Sequence, residues 1–167
     1  MAPSELAHHE LRETVSEVIM QGGSPVRLQL ELTESALIED PSLAATLSDF
    51  ESSLGVGAAL EDFGVGYSSL ASLTRFTIDE LKIDRSLIHA LANGQNAPIV
   101  KAIVVMAHAL DILVVAEGIE TSEQATEARR LGCDRGQGFF FARPLAPKPI
   151  AALLAQPPAL HAASSSR

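Results

Sequence analysis

The stretch ILVVAEGIET, residues 112–121, decides the fold. Ile112 to Ala116 are apolar without a break. A strand with one wet face alternates apolar and polar residues, whereas a strand covered on both faces reads as a continuous run, the habit of parallel sheets. The strand closes on Glu117, Gly118, Ile119 and Glu120. Thr121 with Gln124 then has the spacing of a capping box. The helix it opens runs to Leu131 and ends at Gly132, a residue suited to a left-handed helix terminus.

Outward from this unit, strand and helix keep alternating. Residues 5–20 place Leu6, Leu11, Val15, Val18 and Ile19 on one helical face, with Gly22 and Gly23 as the stop. Arg27 to Leu32 (RLQLEL) alternates as a strand does. Asp40-Pro41 reads as an N-cap and first helical residue, for a helix to Leu54 that Gly55 ends. Val56 to Glu61 is a buried strand, Asp62 to Gly66 (DFGVG) a loop, and a short helix follows through Leu73. Glu80 to Ile83 is a strand, Arg85 to Leu91 a short helix broken by Asn93-Gly94, and Pro98 to Leu110 a longer helix. Gly138 to Phe141 reads as a last strand and Pro147 to Leu154 as a last short helix. The Ala-, Ser- and Pro-rich end, Pro157 to Arg167, reads as a disordered tail.

This pattern is α/β with a mainly parallel sheet. An open doubly wound sheet and a barrel both fit the alternation. No Gly-rich phosphate loop follows the first strand, so the dinucleotide-binding signature is missing. Polar groups instead close successive strands, and in a barrel those ends converge on one face.

Composition narrows the function. The chain has 167 residues, 47% of them hydrophobic and 4% aromatic, with no Trp, so the core is built from Leu, Ile, Val and Ala. The formal net charge of -9 argues against a nucleic-acid polymer as partner, because phosphate backbones are bound by clustered Lys and Arg. A small phosphodiester remains open if a divalent cation sits between it and the acidic chain. One cysteine, Cys133, allows no intrachain disulfide and favours a reducing, cytoplasmic compartment. No basic segment followed by an apolar one marks a secretory signal. The apolar stretch Ile99 to Ala116 is interrupted by Lys101, His108 and Asp111 and reads as core, not as a membrane span.

The strand ends carry the chemistry. LQLELTES offers Glu31 and Glu34; AALEDFGVG offers Glu61 and Asp62; ELKIDRS offers Lys82 and Asp84; VVAEGIET offers Glu117 and Glu120; DRGQGFF offers Gln137. A single strand-end carboxylate is most often a cap, a loop anchor or a solvated charge. Carboxylates on successive strands repel one another unless a cation joins them. Hard oxygen donors select Mg²⁺ or Mn²⁺ over thiolate-bound metals. With a lysine beside them, the arrangement points to metal-assisted phosphodiester hydrolysis.

In this order ELTES, DFGVGYSSL, LKIDRSL, VVAEGIET and LGCDRGQGFFFARP resemble the EAL family of cyclic di-GMP phosphodiesterases, from about Glu5 to Pro144. The resemblance implies a TIM-like barrel that opens cyclic di-GMP to linear pGpG with Mg²⁺ or Mn²⁺. It implies Glu31, Glu61, Asp62 and Glu117 as metal ligands, with Glu117 also a candidate base. Lys82 would hold the attacking water and the phosphate region, and Gln137 would complete the site. Glu34, Asp84 and Glu120 would support the loops, and Arg143-Pro144 would lie near the guanine pocket.

Departures accompany the resemblance. Glu61 stands where the family has aspartate, and Val65 where it usually has threonine. The family's Glu-Ala-Leu strand and its Asn-bearing strand have no counterpart, so the expectation is a partial barrel lacking its first strands. On that reading residues 1–156 are the C-terminal two-thirds of the domain, residues 157–167 are tail, and turnover by this chain alone is weak or absent. The alternative is a degenerate module that binds cyclic di-GMP or a protein partner without catalysis. A different metal-dependent barrel, enolase-like with Lys82 as base, fits the motifs poorly. Further expectations are a homodimer through Asp62 to Leu73 and upstream sensory or GGDEF domains. The five histidines show no metal spacing: His8 and His9 read as solvated, His89 and His108 as helical near the core edge, His161 as tail. Cys133 reads as a small buried residue, the Glu123 to Arg130 charges as a solvated face, and at least one of Phe139, Phe140 and Phe141 as core.

Overall fold

The computed structural model describes residues 9–21, 28–39, 43–65 and 70–144. Their order is α1 (His9–Gln21), β1 (Gln29–Thr33), α2 (Glu34–Glu39), α3 (Leu43–Leu54), β2 (Gly57–Phe63), α4 (Leu70–Arg75), β3 (Glu80–Ile83), α5 (Arg85–His89), α6 (Ala97–His108), β4 (Leu113–Ala116), α7 (Ser122–Leu131) and β5 (Arg135–Gly136). A 3₁₀ turn, Ala90–Asn93, extends α5. The five strands form one parallel sheet in the order β1-β2-β3-β4-β5. A doubly wound sheet reverses its strand order at a switch point. Here the order never reverses, and right-handed crossovers then put every connecting helix on the same face. This is a sector of a barrel.

Register fixes what each face carries. Glu31 pairs with Ala59, Ala59 with Glu80, Lys82 with Val115, and Val115 with Arg135. Side chains alternate along a strand, so Glu31, Glu61, Glu80, Lys82, Glu117, Arg135 and Gln137 share one face. The other face carries Leu30, Leu32, Leu60, Leu81, Ile83, Val114 and Ala116, all buried. They form one core with Leu43, Leu47 and Phe50 of α3, Val100, Ile103 and Val104 of α6, and Ala128 and Leu131 of α7. Burial at roughly 25 cal/mol per Å² of apolar surface makes this helical layer the main source of stability. The expectations of an α/β chain and a barrel-type sheet hold.

Three local expectations need correction. Glu34, for which the pattern predicts no helix, opens α2, and the Ala36 N–H donates to Thr33 Oγ1 at 3.4 Å, a Thr-led helix start. The last strand is not Gly138 to Phe141 but Arg135–Gly136. After Gln137 the chain curls: the Phe141 and Ala142 N–H groups both donate to the Gly138 carbonyl, and the Phe140 N–H donates to Ile119 O. Gly138 packs so closely on Ile119 that a Cβ there would collide with its backbone. In consequence Phe139, Phe140 and Phe141 are all exposed, none of them core. Asp62 and Phe63, read as loop, still belong to β2, and the turn starts at Gly64.

The capping box is present as read: Gln124 N–H donates to Thr121 Oγ1, and the Thr121 N–H to Gln124 Oε1. The glycine stop at Gly22-Gly23, the Asp40-Pro41 cap, the helix at Pro147 to Leu154, the tail, His8 and His161 lie outside the described residues, as does the His9 side chain. Among the described residues, no helix is long and apolar enough to cross a membrane.

Candidate active site

Four of the expected residues meet on the polar face. Lys82, at the middle of β3, is 5% exposed along its side chain. Its Nζ lies 2.6 Å from Glu31 Oε1 of β1, 2.6 Å from Glu117 Oε1 beyond β4, and 3.5 Å from Glu61 Oε1 of β2. Strand parity brings them together: Lys82 faces Val115, and Glu117 is two residues further on the same side.

A bulge sets the β2 contribution. Leu60 pairs with Leu81 and Phe63 with Ile83, so β2 has one residue more than β3 across this interval. Bulges turn a strand and re-aim its side chains. Asp62 takes the extra position with φ +56°, a conformation uncommon outside glycine but tolerated by Asp. Glu61 therefore turns toward Lys82, while Asp62 stays exposed at the rim.

Electrostatics follow from this crowding. Burial alone would raise Glu31; hydrogen bonds from Glu61 and Lys82 overcome it and hold Glu31 below the usual carboxylate range. Burial pushes Glu61 up, and the neighbouring Glu31 carboxylate pushes the same way. The two neighbouring glutamates are thus pushed in opposite directions, Glu31 down and Glu61 up. Burial would lower Lys82, but Glu117 and Glu31 prevail and keep it ammonium, above the ordinary lysine range. One ammonium against three carboxylates leaves the cluster net negative.

The remaining residues surround it. Gln137 follows β5 and lines a groove of about 420 Å³ together with Glu31, Glu80, Lys82, Arg135 and Phe141. The Gln137 N–H donates to Ala116 O, and its carbonyl accepts from the Ile119 N–H, which ties the last strand to the Glu117 turn. Asp84 caps α5, accepting from the Ser86 N–H at 2.8 Å. Glu120 lies 3.7 Å from His89 Nε2. The Arg143 guanidinium stacks over the Phe139 ring at 4.8 Å, and Pro144 is exposed. Glu34 stands at the start of α2, part-buried.

Sequence reading missed one feature of this face. Glu80 is buried and pairs with Arg135 one layer below Lys82. Parity was the available signal: Glu80 precedes Lys82 by two residues, and Arg135 precedes Gln137 by two.

A family model described as the EAL domain matches residues 1–144. The chain belongs to the EAL family. It is 39% identical over 153 residues to the bifunctional diguanylate cyclase/cyclic di-GMP phosphodiesterase MucR of Pseudomonas aeruginosa, matching 90% of this chain and 22% of MucR. Among solved structures it resembles the MucR phosphodiesterase in complex with c-di-GMP, at 38% identity and TM-score 0.78, covering 90% of this chain and 62% of that one. The EAL domain of Mycobacterium smegmatis DcpA matches at 36% identity and TM-score 0.82, with 93% and 70% covered. A manganese/c-di-GMP complex of Klebsiella pneumoniae BlrP1 matches at 31% identity and TM-score 0.74, with 86% and 38% covered. This EAL domain thus spans about a fifth of the length of MucR.

The donor set of this EAL domain has the chemistry of a hard divalent ion: carboxylate oxygens, net negative, with no thiolate or imidazole among them. Among the described residues no three acidic side chains converge as a closed ligand set, because Lys82 takes the centre. The fit lies in donor type and residual charge. Cys133 plays no part: half-buried behind α7, its thiol is pushed up to about 11 by burial and by Asp134, the opposite of an activated nucleophile. The Glu123 to Arg130 charges are a solvated face, with Arg130 and Glu127 paired along α7.

Proposed function

We propose that this groove is the metal- and phosphodiester-binding side of a cyclic di-GMP phosphodiesterase site. The observation that carries the reading is the buried Lys82 ammonium, held by carboxylates from three neighbouring strands at the floor of an open groove. A purely structural lysine needs one partner; three carboxyl groups exceed that need and leave charge for a divalent ion.

Glu31, Glu61, Asp62 and Glu117 would hold Mg²⁺ or Mn²⁺, and such an ion, when bound, polarises a phosphoryl oxygen and makes water a nucleophile at neutral pH. Lys82 stays protonated, so it orients the attacking water and stabilises charge growing on the phosphate oxygens. Glu117, next to Lys82, takes the water proton. Water oxygen bonds to phosphorus, the P–O3′ bond breaks, and the 3′ oxygen leaves as the hydroxyl, regaining through solvent the proton that Glu117 took, giving pGpG. Gln137 and the Phe139–Arg143 stack border the same mouth and suit the nucleotide body. The MucR and BlrP1 complexes with c-di-GMP support the substrate class. The bifunctional description of MucR supports a GGDEF-type neighbour; a homodimer through the DFG-loop region and a cytoplasmic location belong to the same proposal.

A second reading, binding with little or no turnover, has its own observation. Lys82 already engages Glu31 and Glu117 at 2.6 Å, and the long Glu61 side chain reaches the same ammonium. Weak turnover by the 167-residue chain is therefore the expectation. Chromatography of cyclic di-GMP incubated with Mn²⁺, beside a binding titration in Ca²⁺, tests both. Divalent-dependent binding with slow or absent pGpG formation is expected. Rapid Mn²⁺-dependent conversion sinks the expectation of weak turnover, and absence of binding sinks the assignment of the groove.

A further inference from the structure

We propose that His89, which stands outside the carboxylate cluster, is the positioning residue that fixes the Glu117 turn. His89 ends α5, and its Nε2 lies 3.0 Å from the Gly118 carbonyl. A carbonyl only accepts, so Nε2 carries the ring proton and donates it. The neighbouring Glu120 Oε1, 3.7 Å away, favours the same tautomer.

The amides of the turn are held by other partners. The Glu117 N–H donates to Ile83 O and the Ile119 N–H to Gln137 O, while Gln124 accepts from the Glu120 and Thr121 N–H groups. Those bonds fix the amides. The Gly118 carbonyl is fixed by His89, a side chain from a different element. Gly118 also packs against α5: a Cβ there would lie 2.5 Å from Arg85 Cβ and 3.4 Å from His89 Nε2, and its φ of +68° suits glycine. The Glu117 side chain sits one peptide away, at 2.6 Å from Lys82. Loss of this anchor would let the Glu117–Gly118 segment shift away from α5 and take that carboxylate off the ammonium. Small misplacements of a site residue have large consequences.

The inference deepens the phosphodiesterase reading, and its test is built so that the two can fail apart. In the full chain, His89→Phe keeps ring volume without a donor, and His89→Gln keeps a donor at similar reach. Hydrogen exchange at the Ile119 amide and the Glu117 carboxyl ¹³C shift report the turn without any ligand; cyclic di-GMP affinity in Ca²⁺ reports the site. In His89→Phe, Ile119 exchange should rise at least about tenfold, the Glu117 signal should move, and affinity should fall about fivefold or more. His89→Gln should stay within about twofold of wild type in each. Wild-type exchange and Glu117 shift in His89→Phe overturn the proposal, as does a failure of His89→Gln to rescue them. Faster exchange with an unmoved Glu117 signal also overturns it, since His89 would then hold the backbone alone. If wild type binds no cyclic di-GMP, the functional reading fails while exchange and the Glu117 shift still decide the role of His89.

Discussion

Two alternate residues of β3 point to the same face, yet their surroundings differ. Glu80 meets Arg135, one charge against one. Two residues on, Lys82 meets Glu31, Glu61 and Glu117, one against three. The lower layer is balanced and closes the sheet edge. The upper layer is unbalanced, and its crowding pushes Glu61 up while Glu31 is held down. Charge balance separates an ion pair that serves the fold from a cluster left with surplus negative charge. Buried charges without partners are costly, so the surplus persists because the groove is open to solvent and ligand.

The largest stability effect should fall on the balanced layer. Arg135→Ala leaves Glu80 buried without its partner and should lower unfolding free energy by about 2 kcal/mol, less than a fully buried pair because Arg135 is partly exposed. Urea melts should show this loss unchanged by added Mn²⁺; recovery with Mn²⁺ would mean that both layers act as one site. In the upper layer, Glu61→Gln removes surplus charge. It should leave stability in EDTA within about 1 kcal/mol of wild type and weaken Mn²⁺ binding about tenfold, as calorimetry would read it. A large loss of stability with intact metal affinity would invert the comparison.

The smallest effect is in pH. The folded Lys82 pKa lies above its ordinary value, so its contribution is complete below pH about 10.4 and is lost as pH rises through the folded value. In EDTA, wild type should lose more stability than Lys82→Met over that alkaline range. Parallel melts of the two proteins would show that Lys82 is not held by the carboxylates.

Much of this was legible in the sequence, and the reasons are local. The continuous run Ile112 to Ala116 and the Thr121–Gln124 box are short-range signals, and both appear where the pattern put them. Strand-end spacing brought Glu31, Glu61, Lys82 and Glu117 to one point because parity in parallel strands carries over from neighbour to neighbour. The helix at Glu34 was hidden, since ELTES reads as a strand running into a turn until Thr33 is seen to lead a helix. The three phenylalanines misled because Phe-rich runs imitate strands; contact of Gly138 with the Ile119 backbone, a long-range fact, curls them outward. The β2 bulge and the Glu80–Arg135 layer likewise depend on pairing between strands, which no single segment displays.

Equilibrium titration of cyclic di-GMP in Ca²⁺, for wild type and Lys82→Met, tests the central claim most directly. Saturable binding that disappears in EDTA and weakens at least about tenfold in Lys82→Met, the loss of one charge-assisted contact to phosphate, is the predicted result. Equal affinity for the two proteins, or binding indifferent to the divalent ion, would contradict the claim that the Lys82 cluster is the phosphodiester site.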